Sequence, residues 1–156
     1  MKIVLICLVT FGLGFGAAAQ TPDTQLRKKH FWLNKEGVAM DGYDPVSYFT
    51  GKPKEGKADI TLLQNGIIYR FADAKNRETF KANPAKYEPV FGGWCAYAIG
   101  VKAEKVVPDP QNYKIVDGKV NLFYKNFFSN TLIDWNEDEA NLKIKASQNW
   151  SSKVYK

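Results

Sequence analysis

Cys95 is the residue with the most chemistry to offer. The chain holds two cysteines, Cys7 and Cys95, and one histidine, His30. Cys7 lies inside an apolar leader and is lost with it, so Cys95 stands without a disulfide partner. A lone thiol in an oxidising compartment has three fates: a buried inert side chain, a metal ligand or a reactive group. As a ligand its soft sulfur suits Cu⁺, with the Met40 thioether as a second soft donor. As a nucleophile it needs a base, and His30 is the one imidazole that can serve. As a small apolar side chain it fills a core, the commonest place for free cysteine. A three-histidine zinc site is excluded by count.

The carboxylates are less specific. Asp41 and Asp44 flank Gly42 and precede Pro45, which is turn chemistry before it is paired acid–base catalysis. Asp44 can also anchor backbone N–H groups within the domain. Asp134, Glu137, Asp138 and Glu139 gather near a helix start, where the helix dipole accounts for them. Amphipathic rings are abundant, with 8 Tyr and 4 Trp. Most are expected to pack as core. Trp94 and Tyr97, beside Gly92-Gly93, are the candidates for the wall of a small-ligand pocket around Cys95.

These side chains must be held by elements that the local pattern predicts. Residues 59–64 and 67–71 are rich in Ile, Leu, Tyr and Phe and are split by Asn65-Gly66, a tight hairpin signal. Asp73 then caps a helix over 74–82. Asn83-Pro84 breaks it and opens a short turn reaching Tyr87. Trp94 to Ile99 reads as a strand or a buried extended piece, with Cys95, Tyr97 and Ile99 on one face. A second hairpin is expected at 113–116 and 120–124 around Asp117-Gly118. Phe127, Phe128, Leu132 and Trp135 suggest a short helix, and residues 137–146 a final one with Leu142 and Ala146 on its buried face. Between 38 and 49, Asp44, Val46 and Tyr48 alternate onto one side.

Residues 1–19 read as a signal peptide. Lys2 precedes an apolar run from Ile3 to Gly16, and Ala17-Ala18-Ala19 is a small-residue cleavage site before Gln20. The run is too short for a comfortable span. A periplasmic or secreted protein with no stable membrane span after cleavage is therefore expected. Residues 20–37 form a polar lead-in, mobile apart from Phe31 and Trp32, which dock. The net charge of +6 is spread over scattered lysines, which argues for a solvated surface and against nucleic acid as a partner.

Several segments in order carry a resemblance. They are Gly42-Tyr43-Asp44-Pro45-Val46-Ser47-Tyr48-Phe49, the hairpin and helix through Asn83-Pro84-Ala85-Lys86-Tyr87, and Gly92-Gly93-Trp94-Cys95-Ala96-Tyr97. Together they resemble a secreted subgroup of YHS-domain proteins, over residues 38–150, leaving 151–156 as a tail. In metal-binding relatives an Asp-Pro-Val-Cys segment and a Cys-x-x-x-Cys pair supply thiolates. The matching positions here are Ser47, Ala72 and Asn76, so the resemblance implies the frame of a metal-site domain without its usual ligands.

The fold expected is α+β, a small single domain of short antiparallel β-hairpins packed with a few short helices. The function expected is a non-catalytic binding module, linked through the resemblance to heavy-metal handling, with Trp94, Cys95 and Tyr97 at a ligand site and Cys95 with Met40 as donors to a copper ion. The alternatives are an accessory protein that docks a partner through an aromatic surface, and a thiol enzyme using Cys95.

Overall fold

The computed structural model describes residues 22–156. The expected signal peptide over 1–19, its cleavage point near Ala19/Gln20 and Cys7 lie outside the described residues. Among the described residues, no helix is long and apolar enough to cross a membrane.

The chain opens with helix α1 (Pro22–His30). Single turns at Met40–Gly42 and Ser47–Thr50 follow. Strands β1 (Lys57–Gln64) and β2 (Ile67–Phe71) pair antiparallel, Gln64 opposite Ile67 and Leu62 opposite Tyr69. Asn65 and Gly66 close that hairpin with φ of 46° and 82°, the left-handed pair that matches strand twist. Asp73 caps α2 (Ala74–Ala82), its carboxylate accepting from the Asn76 N–H at 2.8 Å. Asn83 caps α3 (Pro84–Tyr87), with Pro84 in the first turn, where its missing N–H costs nothing. Helix α4 covers Ala96–Lys102. A second hairpin, β3 (Asp109–Val116) with β4 (Lys119–Phe123), turns through Asp117 and Gly118 at φ 50° and 71°. Helices α5 (Thr131–Glu137) and α6 (Glu139–Asn149) complete the order, and a wide turn over Trp150–Val154 follows. Two separate two-stranded antiparallel sheets among short helices make the fold α+β.

Two apolar clusters hold these pieces. One gathers Phe31, Trp32, Met40, Tyr48, Ile67, Tyr69, Phe71, Phe80 and Tyr87 around the first hairpin and α2. The other joins Ile99 of α4, Phe123, Trp135, Leu142 and Ala146. Trp94 is half-buried and packs against both. The rings meet mostly edge to face or tilted, as in Tyr48–Tyr113 at 5.0 Å and Phe71–Phe80 at 5.3 Å between centroids, the geometry that ring quadrupoles favour.

Four local expectations change. Residues 96–102 are helical, not a strand, and Cys95 pairs with the second hairpin through a single bridge to Leu122. Ala96 and Ala98 favour a helix, and at Gly100 the backbone of α6 comes so close that an added Cβ would meet the Leu142 carbonyl at 3.1 Å. The lead-in is not loose. Residues 22–30 are a helix, His30, Phe31 and Trp32 are buried, and Arg27 reaches Glu88 at 2.5 Å. Residues 42–48 do not alternate; all seven are buried in consecutive turns. Phe127 and Phe128 precede α5 in an exposed turn and do not belong to the helix.

Candidate functional site

The three positions that the resemblance would assign to thiolates come together around Asp44, which is fully buried. Its Oδ1 accepts from the N–H of Val46 at 2.8 Å and, more weakly, of Ser47 at 3.4 Å. Its Oδ2 accepts from the N–H of Ala72 at 2.9 Å and from the Asn76 side-chain amide at 2.6 Å. The Ser47 hydroxyl donates to the Asp44 carbonyl at 2.6 Å and accepts from the Lys54 N–H at 2.9 Å. One carboxylate thus ties the 44–47 turn to the end of β2 and the first turn of α2. The polar side chains there are engaged with one another, a structural node with ligand-like geometry.

Cys95 occupies the position just ahead of α4. Its N–H donates to the Val106 carbonyl at 3.0 Å, and its carbonyl accepts from the Ile99 N–H at 3.1 Å, opening the helix. The thiol is buried. It accepts from the Tyr124 N–H at 3.3 Å and lies 3.4 Å from the Thr131 hydroxyl, which itself donates to the Tyr124 carbonyl at 3.0 Å. The residue also borders a cavity of about 150 Å³. Tyr97, Val101, Val106 and Tyr124 wall that cavity, Thr131 joins Cys95 beside it, and the exposed Lys102 and Glu104 stand at its edge. Cys95 and Tyr97 therefore share one site, although the face that unites them is the start of a helix and not one side of a strand. A wider hollow of about 440 Å³ runs past Phe91, Val116 and Ile144, but it carries no thiol, and two of its charged groups, Lys143 and Asp117, pair with each other at 2.7 Å.

Trp94, Met40 and His30 are placed elsewhere. The Trp94 indole N–H donates to the His30 carbonyl at 2.7 Å, and Lys105 sits over its ring at 5.7 Å. Trp94 therefore clamps α1 to the two clusters and does not line the Cys95 cavity. Met40 is fully buried in the first cluster with a left-handed φ of 56°. His30 is buried with its Nε2–H donating to the Lys156 carbonyl at 2.8 Å, while Nδ1 has no hydrogen-bond partner. Its ring lies 5.3 Å from that of Tyr155 and 6.5 Å from that of Trp150. Burial lowers its pKa, the Lys156 carbonyl works the other way, and Lys105 and Lys29 lower it further. The bare Nδ1 fits a neutral ring.

Among the described residues, no group of three or more His, Cys, Asp or Glu is arranged to hold a metal ion. The distant residues that complete the cavity edge and the Asp44 node could not be foreseen: Tyr124 and Thr131 are 29 and 36 positions from Cys95, and Ala72 and Asn76 are 28 and 32 from Asp44. Comparison with family models, with curated proteins and with solved structures finds no match for this chain.

Proposed function

We propose that the protein is a non-catalytic binding module whose ligand site is the cavity beside Cys95. The observation that carries this reading is the joint lining of one small cavity by the thiol, Tyr97, Tyr124 and Thr131. A space of about 150 Å³ admits a molecule of benzene-like size. Aromatic and aliphatic walls with a hydroxyl and a thiol favour a small planar compound bearing one polar group. The thiol's hydrogen-bond neighbours are an amide N–H and a hydroxyl. Neither is a base, so thiolate chemistry has no activating partner there. A soft ion such as Cu⁺ is the occupant that the family resemblance would add, with Cys95 as donor. The apolar run and small-residue site in residues 2–19 support a location outside the cytoplasm in this reading.

The test is a screen of small aromatic compounds against the ¹⁵N-labelled protein, alongside a Cu⁺ titration. Bound compounds should shift the amides of residues 95–106, Tyr124 and Thr131, and Val101→Trp, which fills the cavity mouth, should abolish those shifts. Copper binding lost in Cys95→Ala would instead make the ion the ligand. If neither compounds nor copper produce changes at these amides, the binding-module reading is wrong.

A further inference from the structure

Phe127 and Phe128 are 93% and 90% exposed, and their rings meet edge to face at 5.1 Å. They crown the turn between β4 and α5. That turn is closed from within. Lys125 and Asn130 form an antiparallel bridge at its base. The Asn126 N–H donates to the Ser129 carbonyl at 2.9 Å, and the Asn126 side-chain oxygen accepts from the N–H groups of Phe128 and Ser129 at 2.9 and 2.8 Å. The Asn126 side-chain amide donates to the Tyr124 hydroxyl at 2.7 Å, and the Thr131 N–H donates to the Tyr124 carbonyl at 3.0 Å. The tip thus offers two open rings above amides that already have partners. An environment without water penalises unpaired amides far more than it penalises rings.

The base of the turn differs from the tip. Lys125 is exposed and is the only charged residue from 124 to 133. Tyr124 is half-buried beside it, and Ile133, 58% exposed, follows on α5. We propose that this turn is a wedge for an anionic lipid surface. Phe127 and Phe128 enter the acyl region, Tyr124 lies at the headgroup level, and Lys125 meets lipid phosphate. Two observations select lipid over a protein partner. The apolar area of the two rings is on the order of 350 Å², well short of the roughly 800 Å² per partner of a stable protein interface. The turn also carries Lys125 and no carboxylate between 124 and 133, a local charge that complements a negative lipid surface. Rings and Lys125 together supply the apolar and the electrostatic parts of a reversible interfacial attachment. The wedge shares Tyr124 with the wall of the Cys95 cavity, but its rings lie outside that cavity and its action does not require the cavity to be occupied.

Flotation with vesicles of phosphatidylcholine alone, and of equal parts phosphatidylcholine and phosphatidylglycerol, tests the wedge on the full chain. The protein should bind the mixed vesicles. The double variant Phe127→Ser/Phe128→Ser should partition about a hundredfold less or weaker, and Lys125→Gln about fivefold less, with unchanged melting because these side chains are open to water. Phe127→Trp should keep binding. With the wild-type signal subtracted, its introduced indole should be quenched by brominated acyl chains. Because quenching reports on that indole alone, attachment through residues 2–19 does not register. Equal binding of the double variant would overturn the proposal. So would an unquenched indole, or rings that matter for self-association while vesicles make no difference.

Discussion

Replacing Asp44 with alanine should come close to unfolding the protein. The carboxylate is fully buried and takes four donors. One of them, the Ser47 N–H, keeps the Asp44 carbonyl at 3.1 Å as an alternative. Three remain: the N–H groups of Val46 and Ala72 and the Asn76 amide. Hydrogen bonds to a charged acceptor contribute about 1.5–3 kcal/mol each. Ala72 and Asn76 are half-buried and can recover part of this from water, which brings the net loss to about 3–5 kcal/mol. Domains of this kind carry only about 5–15 kcal/mol in all. The melting temperature should fall by about 9–15 °C. Asp44→Asn keeps one accepting oxygen for Val46 but turns an NH₂ toward Ala72 and Asn76, so its loss should be about half as large. Scanning calorimetry on both variants, with a double-mutant cycle against Asn76→Ala, measures the node directly. A coupling near zero, or a melting shift under about 2 °C for Asp44→Ala, would show that the carboxylate does not hold the 44–47 turn to β2 and α2.

Two further outcomes test the clamping of the first helix. Burial lowers the His30 pKa in the fold, while an unfolded histidine titrates near its ordinary value of about 6.5. Below that pH the unfolded chain binds the extra proton, so stability should decline as pH falls from about 6.5 and level off once the folded-state pKa is passed. Lys29, Lys105 and the Tyr155 ring surround the group. Denaturant titrations should show the decline in wild type and lack it in His30→Gln; identical pH slopes would refute the assignment. Gly92→Ala should cost about 2–4 kcal/mol, because φ is +60° and a Cβ would stand 2.8 Å from the His30 carbonyl. The amide of Trp32, which donates to the Gly92 carbonyl at 2.8 Å, should lose hydrogen-exchange protection, and retention of it would argue that the clamp lies elsewhere.

The segments that could be read from sequence are those whose signals are local. Asn65-Gly66 and Asp117-Gly118 dictate left-handed turns, and Asp73 and Asn83-Pro84 mark helix starts, whatever the rest of the chain does. Residues 94–102 could not be assigned this way. A short apolar run fits strand or helix equally, and the approach of α6 at Gly100 settles it. The lead-in hid its structure in polar composition, because Arg27 is held by Glu88, 61 positions away, and by the face of Phe31 at 4.4 Å. Phe127 and Phe128 read by type and spacing as part of a short helix with Leu132 and Trp135. Their exposure follows from the Asn126 turn, which aims both rings outward. The turn residues around Asp44 were visible. That Ala72 and Asn76 would share its carboxylate was not, since no local pattern encodes a pairing across 28 or 32 positions.

The meeting of His30 with Lys156, 126 positions apart, sets an order on assembly. Both hairpins can close as soon as they leave the ribosome, since each needs only neighbours in sequence. Helix α1 has no such freedom. The His30 end of its berth is made by Trp150, Tyr155 and Lys156, which at typical translation speeds arrive about 6–25 s after it. Until then His30 has an incomplete seat, and the end of α1 stays open while the middle of the chain is already formed. Newly made protein should therefore gain its last protection against proteases at its beginning and its end together, in a single late step.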